Sequence, residues 1–249
     1  PYRVGLSGRV AYGKSQIERG LAWFEYSMFF KGRFREPLSI AFGEIATHNH
    51  FVLDRGGKVF NRTAPVIKLP VGSSEDDHLG LLGLLNSSVA CFWLKQVCYP
   101  KGGDRVGNEG ARVRKTPWDD RYAFNATNIG DFPLPADRPL ALAQHIDTLA
   151  SAIATLTPTS LLSAAALPDR TTLNAARSQT ASLRRQMIAA QEELDWWCYR
   201  LYGVLPESSA AVNFEYTAPP ELNLGERAFE ILLARRVAAG DEDTTWFER

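Results

Sequence analysis

The chain has 249 residues, 28 Lys and Arg against 28 Asp and Glu, and 45% hydrophobic residues. That length can bury a good core in one or two domains. No run of about 18 apolar residues and no signal-peptide pattern occurs, which argues against a membrane span or export and predicts a cytoplasmic protein without a membrane partner.

Three cysteines, Cys91, Cys98 and Cys198, are an odd number, and two of them sit in an apolar helical pattern. They read as buried thiols in a reducing compartment rather than as disulfides. Residues 1–132 hold 18 Lys and Arg against 13 Asp and Glu, whereas residues 133–249 hold 10 against 15. A basic N-terminal part is compatible with a polyanion partner and equally with ordinary solvated faces. The chain starts at Pro1 and opens in strand-like sequence, so it reads as a piece of a longer protein.

Residues 2–6 read as a strand leading into Gly8-Arg9-Val10-Ala11-Tyr12-Gly13-Lys14-Ser15, which fits G-x-x-x-x-G-K-[ST]. In that loop, backbone amides cradle phosphates and the Lys reaches the outer oxygens. The context is poor: Val10 and Tyr12 crowd the loop interior, and the aromatic-rich residues 21–30 read as strand rather than helix. The basic loop Lys31-Gly32-Arg33-Phe34-Arg35 follows. Arg33 and Arg35 suit a phosphate backbone, or else the loop is a solvated turn with Phe34 tucked inward.

Two apolar runs, residues 39–53 and 59–69, are rich in β-branched and aromatic side chains and flank Asp54-Arg55-Gly56-Gly57. They predict a hairpin whose glycines supply the positive φ of a tight turn. Within the first run, His48 and His50 share a strand face, with Asp54 and His78 as the only further candidate metal ligands. Packing or hydrogen bonding is the first reading there and a metal site the lesser one, while Asn49 carries the donor and acceptor that can read an adenine edge. After Pro70, Glu75-Asp76-Asp77 opens a helix over residues 76–98, where negative charge suits the free N–H groups of a first turn. Leu81, Leu82, Leu85, Val89 and Phe92 recur at helical spacing and predict an apolar face pressed on the hairpin.

Residues 99–122, YPKGGDRVGNEGARVRKTPWDDRY, interleave Gly with Lys101, Arg105, Arg112, Arg114 and Lys115, followed by Trp118. Such a stretch can order on DNA with cations on phosphates and base edges; the plainer alternative is a mobile surface loop. Residues 125–135 read as a last extended segment. From residue 140 the pattern changes to heptads: Leu142, Ile146, Leu149, Ile153 and Leu156 form one coiled-coil-like seam. A second runs through Leu173, Ala176, Thr180, Leu183, Met187, Ala190, Leu194, Trp197 and Leu201. At 1.5 Å per residue its roughly 30 residues extend about 45 Å, and the two seams predict an antiparallel helical hairpin. Residues 204–220 read as loop, and a short amphipathic helix over 225–239 uses Phe229, Leu232, Leu233 and Val237.

Several local stretches resemble one family: Ser39-Ile40-Ala41-Phe42, Thr47-His48-Asn49-His50-Phe51-Val52-Leu53-Asp54, Ala64-Pro65-Val66-Ile67-Lys68-Leu69-Pro70 and Gly83-Leu84-Leu85-Asn86-Ser87-Ser88. Glu192-Glu193-Leu194-Asp195-Trp196 and Tyr199-Arg200-Leu201-Tyr202-Gly203 extend the likeness toward the C-terminus. They look like the specificity region of adenine-specific DNA methyltransferases of the PglX type (BREX and phage growth limitation), which is similar to the C-terminal specificity domain of TaqI-like and type IIG restriction-modification enzymes. The resemblance implies a bacterial antiviral-defence protein that reads double-stranded DNA. It also implies an upstream methyltransferase domain in the same parent chain, S-adenosylmethionine as the parent's cofactor, and contact with other phage-defence proteins. Together with the reading of the residues, this makes Arg33, Arg35, His48, Asn49, His50, Lys101, Arg105, Arg112, Arg114, Lys115 and Trp118 the candidate DNA-binding residues.

The expected fold is α+β: a largely antiparallel β-sheet with a packed core helix, followed by a long antiparallel helical hairpin. Residues 1–136 would form a target-recognition unit, residues 137–203 a spacer-like hairpin, and residues 204–249 a loop and short helix. An adenine methyltransferase grips its flipped base with an Asn/Asp-Pro-Pro-aromatic motif. The only Pro-Pro here, Pro219-Pro220 before Glu221, cannot serve, and no cofactor motif accompanies it. The chain is therefore expected to be catalytically silent and to hold neither cofactor nor metal. Two other readings stand beside DNA recognition: a P-loop nucleotide-binding protein, and a protein-interaction module built on the helical hairpin.

Overall fold

The computed structural model describes residues 2–28, 32, 36–101, 109, 121–163, 167–204 and 228–243. In chain order the elements begin with α1 (Tyr2–Ser7), β1 (Val10–Ala11), β2 (Lys14–Ser15), β3 (Ser39–Phe42), β4 (Ile45–Ala46), β5 (Phe51–Asp54) and β6 (Val66–Ile67). They continue with α2 (Glu75–Leu85), α3 (Ser88–Val97), β7 (Tyr122–Ala123), α4 (Ala126–Gly130), α5 (Leu140–Thr155), α6 (Pro158–Ser163), α7 (Arg170–Leu201) and α8 (Ala228–Ala239). The fold is α+β with antiparallel strand pairing and one long helix, as the sequence predicts.

β3 is buried at all four positions and is the central strand of a sheet ordered β5-β3-β6. Its register sets Ile40 opposite both Leu53 and Ile67, and Phe42 opposite Phe51. The predicted hairpin, turning at residues 54–57 between two long runs, is corrected by this arrangement. The first run folds back on itself through residues 43–50, and the second contributes only β6, on the other side of β3. A strand buried at every position needs cover on both faces and partners on both edges. Gly56 and Gly57 do take positive φ, 103° and 80°, but in a loop, where a Cβ on Gly56 would stand 3.4 Å from the Pro37 carbonyl.

The single helix predicted over 76–98 is two. Ser74 starts α2 with a capping box, exchanging hydrogen bonds with Asp77, and the acidic first turn lies where expected. The helix ends at Asn86, whose side chain turns to the Phe51 backbone, and Ser87 caps α3 by accepting from Ala90 N. Asn and Ser side chains offer the backbone an alternative to continued helix, and two in succession break it. The break rotates α3: Ala90 and Leu94 are fully buried, while Phe92, expected on the buried face, is 70% exposed.

Three extended segments are corrected to other structure. Residues 2–6 lie in α1, and residues 125–135 include α4, begun by the Asn125 side chain accepting from Asn128 N. The described part of residues 21–30 is turn. There the buried Gln16 donates from Nε2 to the carbonyls of Ala22 and Glu25, and Arg19 donates to Ser27 O, which takes up carbonyls a strand would offer a neighbour.

α5 and α7 form the predicted antiparallel pair. A Cβ on Gly83 of α2 would stand 3.0 Å from Ala143 early in α5 and 3.4 Å from Leu194 late in α7. Leu149, Ala176, Ala190 and Leu194 of the two seams are buried, whereas Leu173 and Trp197 are 40% and 45% exposed. One core joins sheet and helices: Ile40, Phe42, Phe51 and Leu53 pack with Leu84, Leu85, Ala143, Leu194 and Cys198. No helix among the described residues is long and apolar enough to cross a membrane. The predicted loop beyond Val204 and the side chains of Phe229, Leu232 and Leu233 lie outside the described residues.

Candidate nucleic-acid interface

β7 is held on both sides. β4 pairs with it through Ile45↔Ala123 and Ala46↔Tyr122. On its other side Pro100 bridges Tyr122, Lys101 N donates to Arg121 O at 2.7 Å, and Ala123 N donates to Tyr99 O at 3.2 Å. Lys101 and Arg121 therefore lie side by side on an antiparallel stem. Arg105, Arg112, Arg114, Lys115 and Trp118 belong to the segment between them and lie outside the described residues, but both of its anchors are inside them.

Other predicted residues gather at the stem. His48 and His50 are exposed at the end of the β4–β5 connection. The Lys95 ammonium lies 5.6 Å from the Tyr122 ring centroid, a cation–π distance. Partial burial, then the charges of His50 and Lys95, hold the His48 pKa below its ordinary value. His48 is thereby a neutral hydrogen-bonding group at neutral pH, with Thr47 Oγ1 2.8 Å from its Nδ1. Tyr99 is 62% exposed. Cations and aromatic faces side by side can meet phosphates and stack on bases.

Asn49 does something else. It is buried, and its Nδ2 donates to Leu85 O at 2.7 Å and Ser87 O at 3.2 Å, across the α2–α3 break. Both amide hydrogens are spent inside the fold, so in this conformation it has no donor for a base edge.

Arg33 and Arg35 lie outside the described residues, yet the chain on either side of them is placed. Met28 and Glu36 line a recess of about 1040 Å³ together with Tyr12, Phe60, Lys58 and Arg62. Its cations are engaged by neighbours: Arg55 bridges Glu75 and Asp147, Lys58 meets Asp54 at 3.0 Å, Arg62 meets Glu44 at 3.6 Å, and Lys68 donates to Glu36 O. Of the predicted residues, His48, Asn49, His50 and Lys101 are among the described ones, and only Asn49 of these is buried. The recess cations escape sequence reasoning because residues 55, 58, 62 and 68 come together only through the β3–β6 pairing.

The phosphate-loop reading is overturned. Gly8 to Ser15 forms the two-residue β1–β2 hairpin, with Tyr12 and Gly13 at φ 55° and 73°, the left-handed pair of a tight hairpin turn. Lys14 lies in β2, and Ser15 donates from both N and Oγ to Glu18, so no helix N-terminus faces a phosphate. His78, named with His48, His50 and Asp54 as a possible ligand, is buried with Nδ1 2.7 Å from Ser74 O. Among the described residues no three His, Cys, Asp or Glu side chains are grouped to hold a metal.

Comparison with known proteins bears on the C-terminal quarter and on the whole chain. Residues 187–249, from within α7 onward, match a domain of unknown function, DUF7008. The full chain is 49% identical, over 251 aligned residues, to the adenine-specific methyltransferase PglX of Streptomyces coelicolor, and covers 21% of that protein, in its C-terminal part. It therefore spans about a fifth of the relative's length.

Proposed function

We propose that this chain recognises double-stranded DNA for an adenine-specific methyltransferase of a phage-defence system, the base-flipping and methyl-transferring domain lying elsewhere in a longer chain. The observation that carries the reading is the stem at β7. Its paired ends, Lys101 and Arg121, bracket a 19-residue stretch of sequence rich in Gly and Arg, and Lys95 lies against Tyr122 of the same stem. Identity to a methyltransferase along the whole chain supports it. S-adenosylmethionine would be held by that other domain. In this chain Arg105, Arg112, Arg114 and Lys115 would rest on phosphates or reach base edges, with Lys101, Lys95 and His48 at the base of the segment and Trp118 available to stack. Asn49 would hold the frame instead of reading sequence.

A cation resting on a phosphate displaces counterions, so removing one such side chain should flatten the slope of log affinity against log salt by about 0.9. Removing a side chain that reads a base edge should instead cost roughly 1–3 kcal/mol on the cognate duplex and relax the choice at one position. Binding of the four single alanine variants to cognate and scrambled duplexes across a salt series separates the two, with the methylated motif of the intact enzyme read by sequencing. Wild-type affinity, slope and motif in all four would remove the segment from the interface. Negligible wild-type binding even at low salt would favour a protein-interaction module.

A further inference from the structure

A cavity of about 510 Å³ opens between β5, α2, α5 and α7, with Asn49 and His50 among the residues that line it. Leu53, Ile146, Ala150, Met187 and Ile188 give it apolar walls, and Asp147, Glu192 and Asp195 line it as well. No Lys or Arg is among its lining residues; Arg55 stands beside it, bound to Asp147 and Glu75. The potential of the cavity is therefore set by carboxylates and favours a cation.

The strand bordering this cavity has an open edge. Phe51 N donates to Asn86 Oδ1 and Asn86 Nδ2 donates to Phe51 O, each at 2.9 Å. One side-chain amide thus fills the place of one residue of a neighbouring strand. Phe42 N donates to Pro65 O, so Phe42 and Ile40 turn their backbone groups toward β6, and Ile40↔Leu53 is the wide pair of the β3–β5 ladder. The N–H and C=O of Leu53 therefore point outward like those of Phe51, and no partner among the described residues meets them.

We propose that this cavity takes an extended peptide of another protein, which adds to the outer edge of β5 at Leu53 and carries an apolar side chain two residues from a Lys or Arg, so that both point to the same face. The strand edge supplies main-chain hydrogen bonds, and the cavity reads alternate side chains. The apolar side chain lies against Ile146 and Met187, and the basic one faces the carboxylate side of the cavity at Glu192. A small apolar molecule would fill the volume but leave the Leu53 backbone groups unmet. A strand satisfies both features together.

The test uses the full 249-residue chain and a fluorescein-labelled heptapeptide with valine, lysine and valine at its second, fourth and sixth positions and serine elsewhere, followed by anisotropy. Replacing lysine by glutamate, or methylating alternate amide nitrogens, should each weaken binding at least about tenfold. Ala150 is exposed on α5, so Ala150→Arg should keep the wild-type melting temperature while filling the cavity with a cation and abolishing binding. Amide exchange at Leu53 should slow when the lysine peptide is added, a readout that needs no variant. Absence of binding, equal binding of the methylated peptide, unchanged affinity in Ala150→Arg, or an unprotected Leu53 amide would each overturn the proposal.

Discussion

Cys198 has no exposed surface and sits among Leu84, Leu194 and the α3 start, so its thiolate is strongly disfavoured in the folded chain. Burial above all, with Asp195 adding to it and a Ser87 hydrogen bond partly offsetting it, pushes its pKa up to about 12. An acid whose folded pKa is raised lends stability that is complete below its unfolded pKa and declines as pH climbs toward the folded one. Stability should thus hold to about pH 8.5, then fall by up to about 1.4 kcal/mol per pH unit from this group alone. Tyr202, also raised to about 12 by burial, adds to the fall above about pH 10. Denaturant titrations from neutral pH to pH 10.5 should show this decline, and Cys198→Ala should lower the curve but flatten its alkaline limb; an unchanged limb would mean the thiol is solvated. The two residues that periodicity pairs on one helical face separate in a second measurement. Leu85, 2% exposed, should cost about 2–5 kcal/mol on truncation to Ala. Phe92, 70% exposed, should change stability by less than about 0.5 kcal/mol.

That difference originates in an element boundary, the α2–α3 break. Hydrophobic spacing runs on through residues 81–94 with little interruption, so periodicity alone joins the two helices. The signal for the break is local and chemical: Asn86-Ser87-Ser88 are three poor helix-interior residues in a row, but what Asn86 and Ser88 bind is distant in sequence. Asn86 reaches Phe51, Ser87 Oγ donates to Leu84 O, and Ser88 donates from N and Oγ to Asp195 in α7. Ser87→Ala removes the α3 cap, while the Leu84 carbonyl keeps the Ser87 N–H, so it should cost about 0.5–2 kcal/mol by chemical denaturation. A neutral result would show that α3 is held by packing alone. The hairpin departs from its sequence pattern for a related reason. Turn chemistry at Gly56-Gly57 is legible and its positive φ real, but which strand lies beside β3 depends on where the helices cover the sheet. α7 is legible almost to its ends, because a long amphipathic repeat needs no distant partner to be recognised.

At the scale of the whole molecule, the change of composition near residue 140 suggests a boundary between a sheet unit and a separate hairpin, yet the core crosses it. Ala143, Leu194 and Cys198 pack with Ile40, Phe51, Leu84 and Leu85. Gly80 and Gly83 make the approach possible, since a Cβ on either would come within 3.1 Å and 3.0 Å of Arg138 and Ala143. Their spacing is visible in the sequence, but its meaning requires α5 to be in place. Polar links follow the same seam: Arg55 to Asp147 at 2.6 Å, Gln144 to Asp76 at 2.7 Å, and Asp195 to Ser88. The helical hairpin therefore fixes the sheet, and through β4 and α3 the stem proposed to meet DNA, to one rigid frame. Gly83→Ala should cost about 1–3 kcal/mol by forcing α2 from α5. A piece ending at residue 136 should lose its near-ultraviolet circular dichroism and cooperative melting, because Leu84, Leu85 and Leu94 are stripped of their cover from α5 and α7. Supplying residues 137–204 as a separate polypeptide should restore both signals in proportion to its concentration. A sharp, wild-type-like transition in the shorter piece alone would mean that the sheet unit is independent, and that the hairpin is free to act as a movable spacer.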